Sequence, residues 1–409
     1  MLFSPVSIFL GLANLVYTGL NLRLLVGLGN LANSANSEKS VKAVKAENLP
    51  AVTILIAARN EALRITKCLQ CLFAQEYPPE LLQIIIVNDR STDATPKILA
   101  DFSEQFPGRL TLLHISKDTT GYDPKNSPKK FALRCGLEKA TGEIMITTDA
   151  DCIMTKNWVK KLVSEFSEDT GLVLGMTSYY GIDNSDRIAG KNTGFGKPLK
   201  NLIAGTEALE FISYGIVAAA LVGLKFPVHG NANNIAYRRK VYHEAAGFSS
   251  HSHIISGDDD FLIQSVHKLG KWKIKYAVTP ESQVQTEPPL SLKQFWEQRK
   301  RWASKCSLYE PKQTLFLMTI FIYYALIPIS LLLGLWNLKF FWIGLGSWVI
   351  KTTTDYLVMH KGLGLFGKKD LLRWFIPTSI VYIPIILAAV LAGTFGGFTW
   401  KDQRVGRKG

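Results

Sequence analysis

Cysteine is scarce in this 409-residue chain. The five present, Cys68, Cys71, Cys135, Cys152 and Cys306, form no disulfide framework, which argues against a stapled secreted fold and suits a reducing compartment. No G-x-G-x-x-G follows the first candidate strand, which disfavours a Rossmann dehydrogenase. "GLANLVYTG" lies inside an apolar segment, where glycine serves helix packing. No RNA- or DNA-binding signature accompanies the formal charge of +14, so nucleic acid is not an expected partner. Basic residues gather instead beside apolar segments, in "WEQRKRWASK" and "GKKDLLRW", as attraction to anionic membrane lipids requires. Nothing basic precedes the apolar stretch Phe3 to Leu28 and no small-residue cleavage site closes it, so an anchor is expected and not a secretory signal.

What the chain does have is long apolar runs. A bilayer core needs about 20 such residues in a helix. Phe3 to Leu28, Thr314 to Trp336, Phe340 to His360 and Trp374 to Phe398 meet that need. Arg23, Lys39, Lys42 and Lys45 follow the first run, which places the long middle block in the cytoplasm by the positive-inside tendency. Three full crossings after that block would leave the basic tail "KDQRVGRKG" outside, against the same tendency; a last segment that enters and returns, with Pro377 and Pro384, would resolve the conflict. Leu202 to Phe226 is also apolar but contains Glu207 and Glu210, so it reads as a helix on the membrane or under the active site.

The middle block alternates short apolar runs with helical patterns, the mark of parallel strands joined by crossover helices. "VTILIAA", "QIIIV", "LTLLHI" and "EIMIT" read as strands. Ile65, Cys68, Leu69 and Leu72 recur at helical spacing, so "CLQC" is a core face and not a redox pair. Ligands in such sheets bind beyond the carboxyl ends of the strands, where "ARNE", "NDRSTD" and "TDAD" fall. Asp149 and Asp151 are two apart at a strand end, a spacing that lets both address one hard divalent cation, or one cation and a ribose. Asp258, Asp259 and Asp260 crowd together, which raises the cost of ionising all three and lifts a pKa toward that of a useful base; three acids at a helix start would also suit its dipole. Gln298 shares a helix face with Arg301 or Trp302. His251 and His253 fit a polar loop as well as they fit metal ligands.

"AARNEALRITKCL", "IIIVNDRSTDAT", "SPKKFALRCGLEKATGEIMITTDADC", "GNANNIAYRR", "SGDDDFLIQ" and "QRKRWASK", in this order, resemble the membrane-bound glycosyltransferases of family 2, which include cellulose, chitin and hyaluronan synthases and ceramide glucosyltransferase. The likeness spans roughly Ala51 to Lys305. It implies an α/β fold of the GT-A nucleotide-sugar-binding type, with a mainly parallel central sheet plus transmembrane helices. It implies Mg²⁺ or Mn²⁺ at Asp151 and Asp149, the latter also touching the nucleotide. Asp89 matches the position that contacts the nucleoside, although Asn88 stands where the family commonly has a first acid. Arg59 and Glu61 line the nucleoside pocket, and Lys129 matches a lysine that supports the phosphates, a solvated basic turn being the other reading. Asp259 matches the base that deprotonates the acceptor, with Asp258 taking the role if the alignment shifts by one. Gln298, Arg301 and Trp302 match Q-x-x-R-W, Arg301 clamping the leaving diphosphate and Trp302 flooring the acceptor site. Asn234 and Tyr237 fall in register with a strand near the acceptor end and carry no assigned role.

The resulting division is an N-terminal anchor (1–30), a basic linker (31–50), a cytoplasmic GT-A domain (51–290), an amphipathic interfacial helix (291–312), a C-terminal membrane region (313–400) and a basic tail (401–409). The expected enzyme is an inverting hexosyltransferase, integral to the membrane and, in a bacterium, to the inner one. Its donor is a nucleoside diphosphate sugar, UDP-linked by the resemblance, and its acceptor a lipid or glycan hydroxyl. Too few spans follow the catalytic block to build a polymer channel in one chain, which favours a lipid acceptor over processive synthesis. A non-catalytic scaffold that binds nucleotide sugars would require loss of key acids, and none is lost.

Overall fold

The computed structural model describes residues 5–39, 49–123, 126–180, 197–247, 254, 257–400 and 403–405. His251, His253 and most of the basic tail lie outside the described residues. The strands of the middle block are β1 Val52–Ala58, β2 Leu82–Asp89, β3 Leu110–Ile115, β4 Ile144–Thr147, β5 Ile153–Met154, β6 Thr170–Gly175, β7 Thr177–Tyr179, β8 Ile235–Arg238, β9 Lys273–Ala277 and β10 Val284–Thr286. Helices in chain order are α1 Pro5–Lys39, α2 Ile65–Phe73, α3 Thr95–Gln105, α4 Pro128–Glu138, α5 Trp158–Ser164, α6 Lys197–Gly223, α7 Arg239–Glu244, α8 Asp258–Lys268, α9 Leu292–Ser304, α10 Pro311–Leu333, α11 Leu338–Leu365 and α12 Phe375–Phe395. A hairpin, β11 Phe398–Trp400 and β12 Gln403–Val405, follows.

A seven-stranded sheet runs β3-β2-β1-β4-β8-β6-β9, and β5-β10-β7 form a smaller one. Every neighbouring pair in the large sheet is parallel except those made by β8, which runs antiparallel to β4 and β6. The unbroken apolar runs of β1 and β2 follow from helices covering both faces. Ile54, Ile56, Ile84 and Ile86 pack on one side with Leu69 and Leu72 of α2 and Leu99 of α3. Their alternates Leu55, Ile85 and Val87 pack on the other with Phe131 and Leu133 of α4 and Ile212 of α6. The buried face of α2 is Ile65, Cys68, Leu69 and Leu72, and all five cysteines are free.

By length and composition, Ile8–Ala35, Pro198–Gly223, Pro311–Leu333 and Lys369–Phe395 are able to cross a membrane. This set differs from the sequence expectation in two places. Pro198–Gly223 is apolar because protein covers it: 61% of its most apolar window is buried, against 22% to 28% in the other three. Phe211 stacks on Tyr179 of β7 at 4.1 Å, and Gly215 leaves room for Met176. Leu338–Leu365 is not in that set; it carries Lys339, Lys351, Asp355 and Lys361. Two of them, Lys351 and Asp355, pair within the bundle at 2.9 Å.

The contacts at each helix end give the bundle its direction. Helix α10 begins beside Tyr309, which bonds Asp260 in the catalytic block, and turns back near Ser330, whose hydroxyl donates to the Phe340 carbonyl at 2.8 Å. Helix α11 returns to the same block, where the Phe366 carbonyl accepts from Gln283 Nε2 at 3.0 Å. Helix α1 ends there too, with Leu28 and Leu31 in the main core, whereas Tyr17 stacks on Tyr323 partway along α10. Both ends of α12 touch this layer: Trp374 packs on Gly205 of α6, and Gly393 on Lys300 and Ala303 of α9. Its exposed residues, among them Ile376, Ile380, Leu391 and Phe395, recur at helical spacing on one face.

Helices α1 and α6 meet at glycine. A Cβ on Gly27 would stand 2.1 Å from the Ala220 carbonyl oxygen, and one on Gly223 would stand 2.1 Å from that of Gly27. Backbone cannot yield as a side chain does, so Gly27→Val is expected to cost about 1–3 kcal/mol. A lowered thermal midpoint in detergent would register it, and an unchanged midpoint would contradict the close crossing.

Candidate active site

Two loops at the carboxyl edge of the sheet are laced together. Asn60 and Arg90 both adopt the left-handed region, with φ of 53° and 54°, just beyond strands whose ends lie in register at Ala58 and Asn88. Asn60 N–H donates to Ser91 Oγ at 3.0 Å, and Asn60 Oδ1 accepts the Thr92 N–H at 2.8 Å. Asp93 accepts the N–H of Thr95 at 2.9 Å and of Ala62 at 3.0 Å, so from just before the Ala94 cap it satisfies the first N–H of α3 and ties the loops at once. Asp89 is buried and paired with Arg90 at 2.7 Å, and Arg90 lies over the Tyr122 ring. Asn88 turns away to His114, 3.1 Å distant. Of the two, Asp89 is on the cavity wall.

Strand β4 ends at Thr147, so strand alternation does not aim Asp149 and Asp151, contrary to the spacing expectation. A turn does, closed by the Cys152 N–H on the Asp149 carbonyl at 3.2 Å. Both carboxylates open on one cavity of about 740 Å³. Among the described residues no group of three or more His, Cys, Asp or Glu is placed to hold a metal ion. A two-carboxylate donor set of hard oxygens suits Mg²⁺ or Mn²⁺ that completes its shell with phosphate oxygens and water.

The remaining acids arrive on α8. Gly257 precedes it at φ 82°, and a Cβ there would meet the Phe261 ring at 2.8 Å, so glycine is required where the chain turns into "DDD". Asp259 Oδ2 accepts the Ala232 N–H at 2.9 Å, and Asp260 Oδ1 accepts that of Gly230 at 3.2 Å. The "GNANN" stretch therefore grips the acids by its backbone. Asn234 is structural: it bonds the Met176 and Ser282 carbonyls and accepts from Trp158 Nε1. Tyr237 is fully buried.

Lys129 joins the two acidic motifs. Ser127 caps α4 and Pro128 opens it, which sets Lys129 in the first turn. Its Nζ lies 2.9 Å from Asp149 Oδ1 and 3.1 Å from Asp258 Oδ2. Burial works against its charge, but the two carboxylates outweigh that and hold its pKa above the ordinary lysine value. Burial likewise pushes Asp258 up, yet Lys129, Lys130 and Lys305 prevail and keep it well below the usual carboxylate range. Asp259 goes the other way, to about 6: burial raises it, Asp260 and Asp258 add to that, and Lys305 offsets only part. The reason is proximity, since Lys305 stands 3.6 Å from Asp259 but 2.5 Å from Asp260. Burial lowers Lys130 to about 8.

Helix α9 closes the cavity with Gln298, Arg301 and Trp302. Arg301, whose charge burial disfavours, is supported by Asp258, Asp149 and Asp259. Every residue singled out in the sequence for the site, including Arg59 and Glu61, is on this one wall. Lys305, Tyr309 and Arg299 escaped sequence reading, and Glu210 was noted there only as an acid in an apolar run. Lys305 follows Arg301 by four, at the C-cap of α9, which was a usable signal. Arg299 gave none: its guanidinium pairs with Glu210, far away in sequence, between the rings of Phe295 and Trp302 at 4.4 and 4.5 Å.

A mostly parallel α/β sheet with acids and cations converging beyond its carboxyl edge defines a GT-A-type transferase domain. Residues 144–395 match the family model described as glycosyl transferase family group 2, and residues 53–215 that of glycosyl transferase family 2. The chain belongs to glycosyltransferase family 2 and is an enzyme of that family. It is 26% identical over 372 residues to a beta-monoglucosyldiacylglycerol synthase of Synechocystis sp., covering 86% of this chain and 70% of that protein. It is 23% identical over 261 residues to a poly-beta-1,6-N-acetyl-D-glucosamine synthase of Staphylococcus epidermidis, covering 63% of this chain but only 55% of that one. The mannosyltransferase PcManGT from Pyrobaculum calidifontis, in complex with GDP-Man and Mn²⁺, shares the fold with a TM-score of 0.51 at 17% identity, covering 94% of this chain and 98% of that one.

The Arg299–Glu210 pair is 2% and 5% exposed and welds α9 to α6. Arg299→Met should therefore cost about 3–5 kcal/mol, since a carboxylate is left buried without its partner. Adding Glu210→Leu should restore much of the loss, as read by thermal unfolding in detergent. Failure of the second change to recover stability would show that the pair is not the weld.

Proposed function

We propose that the chain transfers a sugar from a nucleoside diphosphate donor, UDP-linked, to the hydroxyl of a lipid that reaches the site from the membrane plane. The observation that carries this reading is the single cavity, which runs from the carboxylates into the helices α1, α10, α11 and α12. Asp89 contacts the nucleoside, with Arg59 and Glu61 beside it. Asp149 and Asp151 would hold Mg²⁺ or Mn²⁺, which supplies positive charge against the diphosphate. Asp259 takes the acceptor proton as the new oxygen–carbon bond forms on the face opposite the departing diphosphate, so the anomeric centre inverts. The electron pair leaves on the diphosphate, beside Arg301 and Lys129. Trp302, stacked on Phe211 and edge-on to Tyr214, floors the acceptor side next to Gln298.

The pKa directions support Asp259 over Asp258 as the base. A carboxylate tied to Lys129 and held low is a weak proton acceptor, whereas one near 6 is ionised and basic enough at neutral pH. Rate is expected to rise with pH through about 6, as Asp259 loses its proton, and then to level. Asp259→Asn should abolish transfer and the titration while donor binding persists; turnover like the wild type would refute the role. Asp149→Asn with Asp151→Asn should erase any gain in nucleotide affinity on adding Mn²⁺, measured by calorimetry.

The same contacts support a topology in which α1, α10 and α11 cross and α12 lies along the interface. The Thr399 N–H bonds Glu297 Oε2 at 2.5 Å, which holds the terminal hairpin against α9. The C-terminus then shares the side of the catalytic block, in a bacterium the cytoplasm, and the basic tail obeys the positive-inside tendency. With so few crossings the lipid acceptor is favoured over a polymer. Membranes given labelled UDP- and GDP-sugars should place label in solvent-extractable lipid, and label found only in polymer would defeat this reading.

A further inference from the structure

The cavity continues past Trp302 into the membrane bundle. Tyr17 and Asn21 of α1, Tyr324 of α10, Lys351 and Asp355 of α11 and Tyr382 of α12 are on its wall, amid mostly apolar side chains of α10 and α12. Tyr17 donates to Asp355 Oδ1 at 2.6 Å, and Asn21 Nδ2 donates to the same oxygen at 3.3 Å. The hydroxyls of Tyr17 and Tyr324 are 2.9 Å apart. Lys351, 1% exposed, sits 2.9 Å from Asp355 Oδ2, with the Tyr324 and Tyr382 rings 5.0 and 5.5 Å from its nitrogen.

Ionisable residues at membrane depth are rare and mark a pathway or a binding site. Holding helices together does not require them, because apolar residues of similar volume do that at least as well. This cluster lines the reaction cavity, and nothing in the transfer chemistry uses it. We propose that it seats the polar backbone of the acceptor, and that the acceptor is an uncharged, hydroxyl-bearing lipid and not a lipid phosphate. The inference rests on the lipid-acceptor reading above and narrows it.

Charge makes the distinction. Lys351 and Asp355 cancel, and phenols and an amide supply the other polar groups, so the cluster offers donors and acceptors with no net charge. Ester carbonyls and hydroxyls of a neutral lipid are satisfied by such groups. A phosphate monoester would bring roughly −1.5 to −2 charges beside Asp355, with the nearby ammonium already paired.

The test uses the full chain in nanodiscs with labelled donor, offering diacylglycerol or a polyprenyl phosphate at equal mole fraction. Diacylglycerol is expected to take label at least about tenfold faster, and Lys351→Met with Asp355→Leu to raise the acceptor KM about tenfold more than it changes kcat. Lys351→Arg should keep most of the affinity, and Tyr324→Phe, milder for folding, should raise the acceptor KM about threefold. Preference for polyprenyl phosphate, or variants with the acceptor KM of the wild type, would overturn the proposal while leaving a lipid acceptor standing. Polymer with neither lipid labelled would instead overturn the lipid reading itself, and the proposal with it.

Discussion

The amine of Lys129, held between Asp149 and Asp258, is the contact on which the site's geometry depends. Those acids come from different parts of the fold, one from the turn after β4 and the other from the first turn of α8. Left alone they would repel. One half-buried cation offsets that repulsion and sets the distance between them. Its consequences reach the third acid: Asp258 is spoken for and stays ionised, so Asp259, beside Asp260 and short of a close cation of its own, is the group with a raised pKa. A row of three identical residues thus divides into unequal members by neighbours alone.

A second constraint joins this chemistry to the bilayer. Helix α9 carries Arg301 on one side and Arg299, stacked with Trp302, on another, and Arg299 fastens it to α6 through Glu210. Helix α6 in turn packs on the sheet through Phe211 and on α1 through Gly223. The membrane helices are therefore set against the catalytic block by a continuous run of packed contacts, with the cavity enclosed between the two. That arrangement explains why an apolar helix like α6 can contain Glu207 and Glu210: the surroundings that matter to it are protein, and Glu210 finds its guanidinium there.

Much of the fold was legible because local rules agreed with each other. The apolar runs of β1 and β3 became strands with the expected ends, and Ile65, Cys68, Leu69 and Leu72 became the buried stripe of α2. The acids, Lys129 and the Q-x-x-R-W residues were recognisable by type and order, and the cavity wall contains them all. Legibility failed where the partner was distant in the chain. Nothing near Arg299 announces Glu210, and nothing near Asp355 announces Tyr17. The membrane segments divide the two kinds of evidence: the sequence reading kept α6 out of the spans because of Glu207 and Glu210 and counted α11 among them, whereas helix length and mean hydropathy alone do the reverse.

Periodicity, glycine positions and residue chemistry are properties of neighbours along the chain, and the sequence by itself determined those: a mainly parallel α/β block between apolar helices, with acids at strand and helix ends. Which acid is held ionised by a cation and which has its pKa raised, which carboxylate is paired inside the bundle, and where both ends of α12 come to rest depend on groups brought together across hundreds of residues. Electrostatic and packing energies are set by distance in space. Only the tertiary structure supplies those distances.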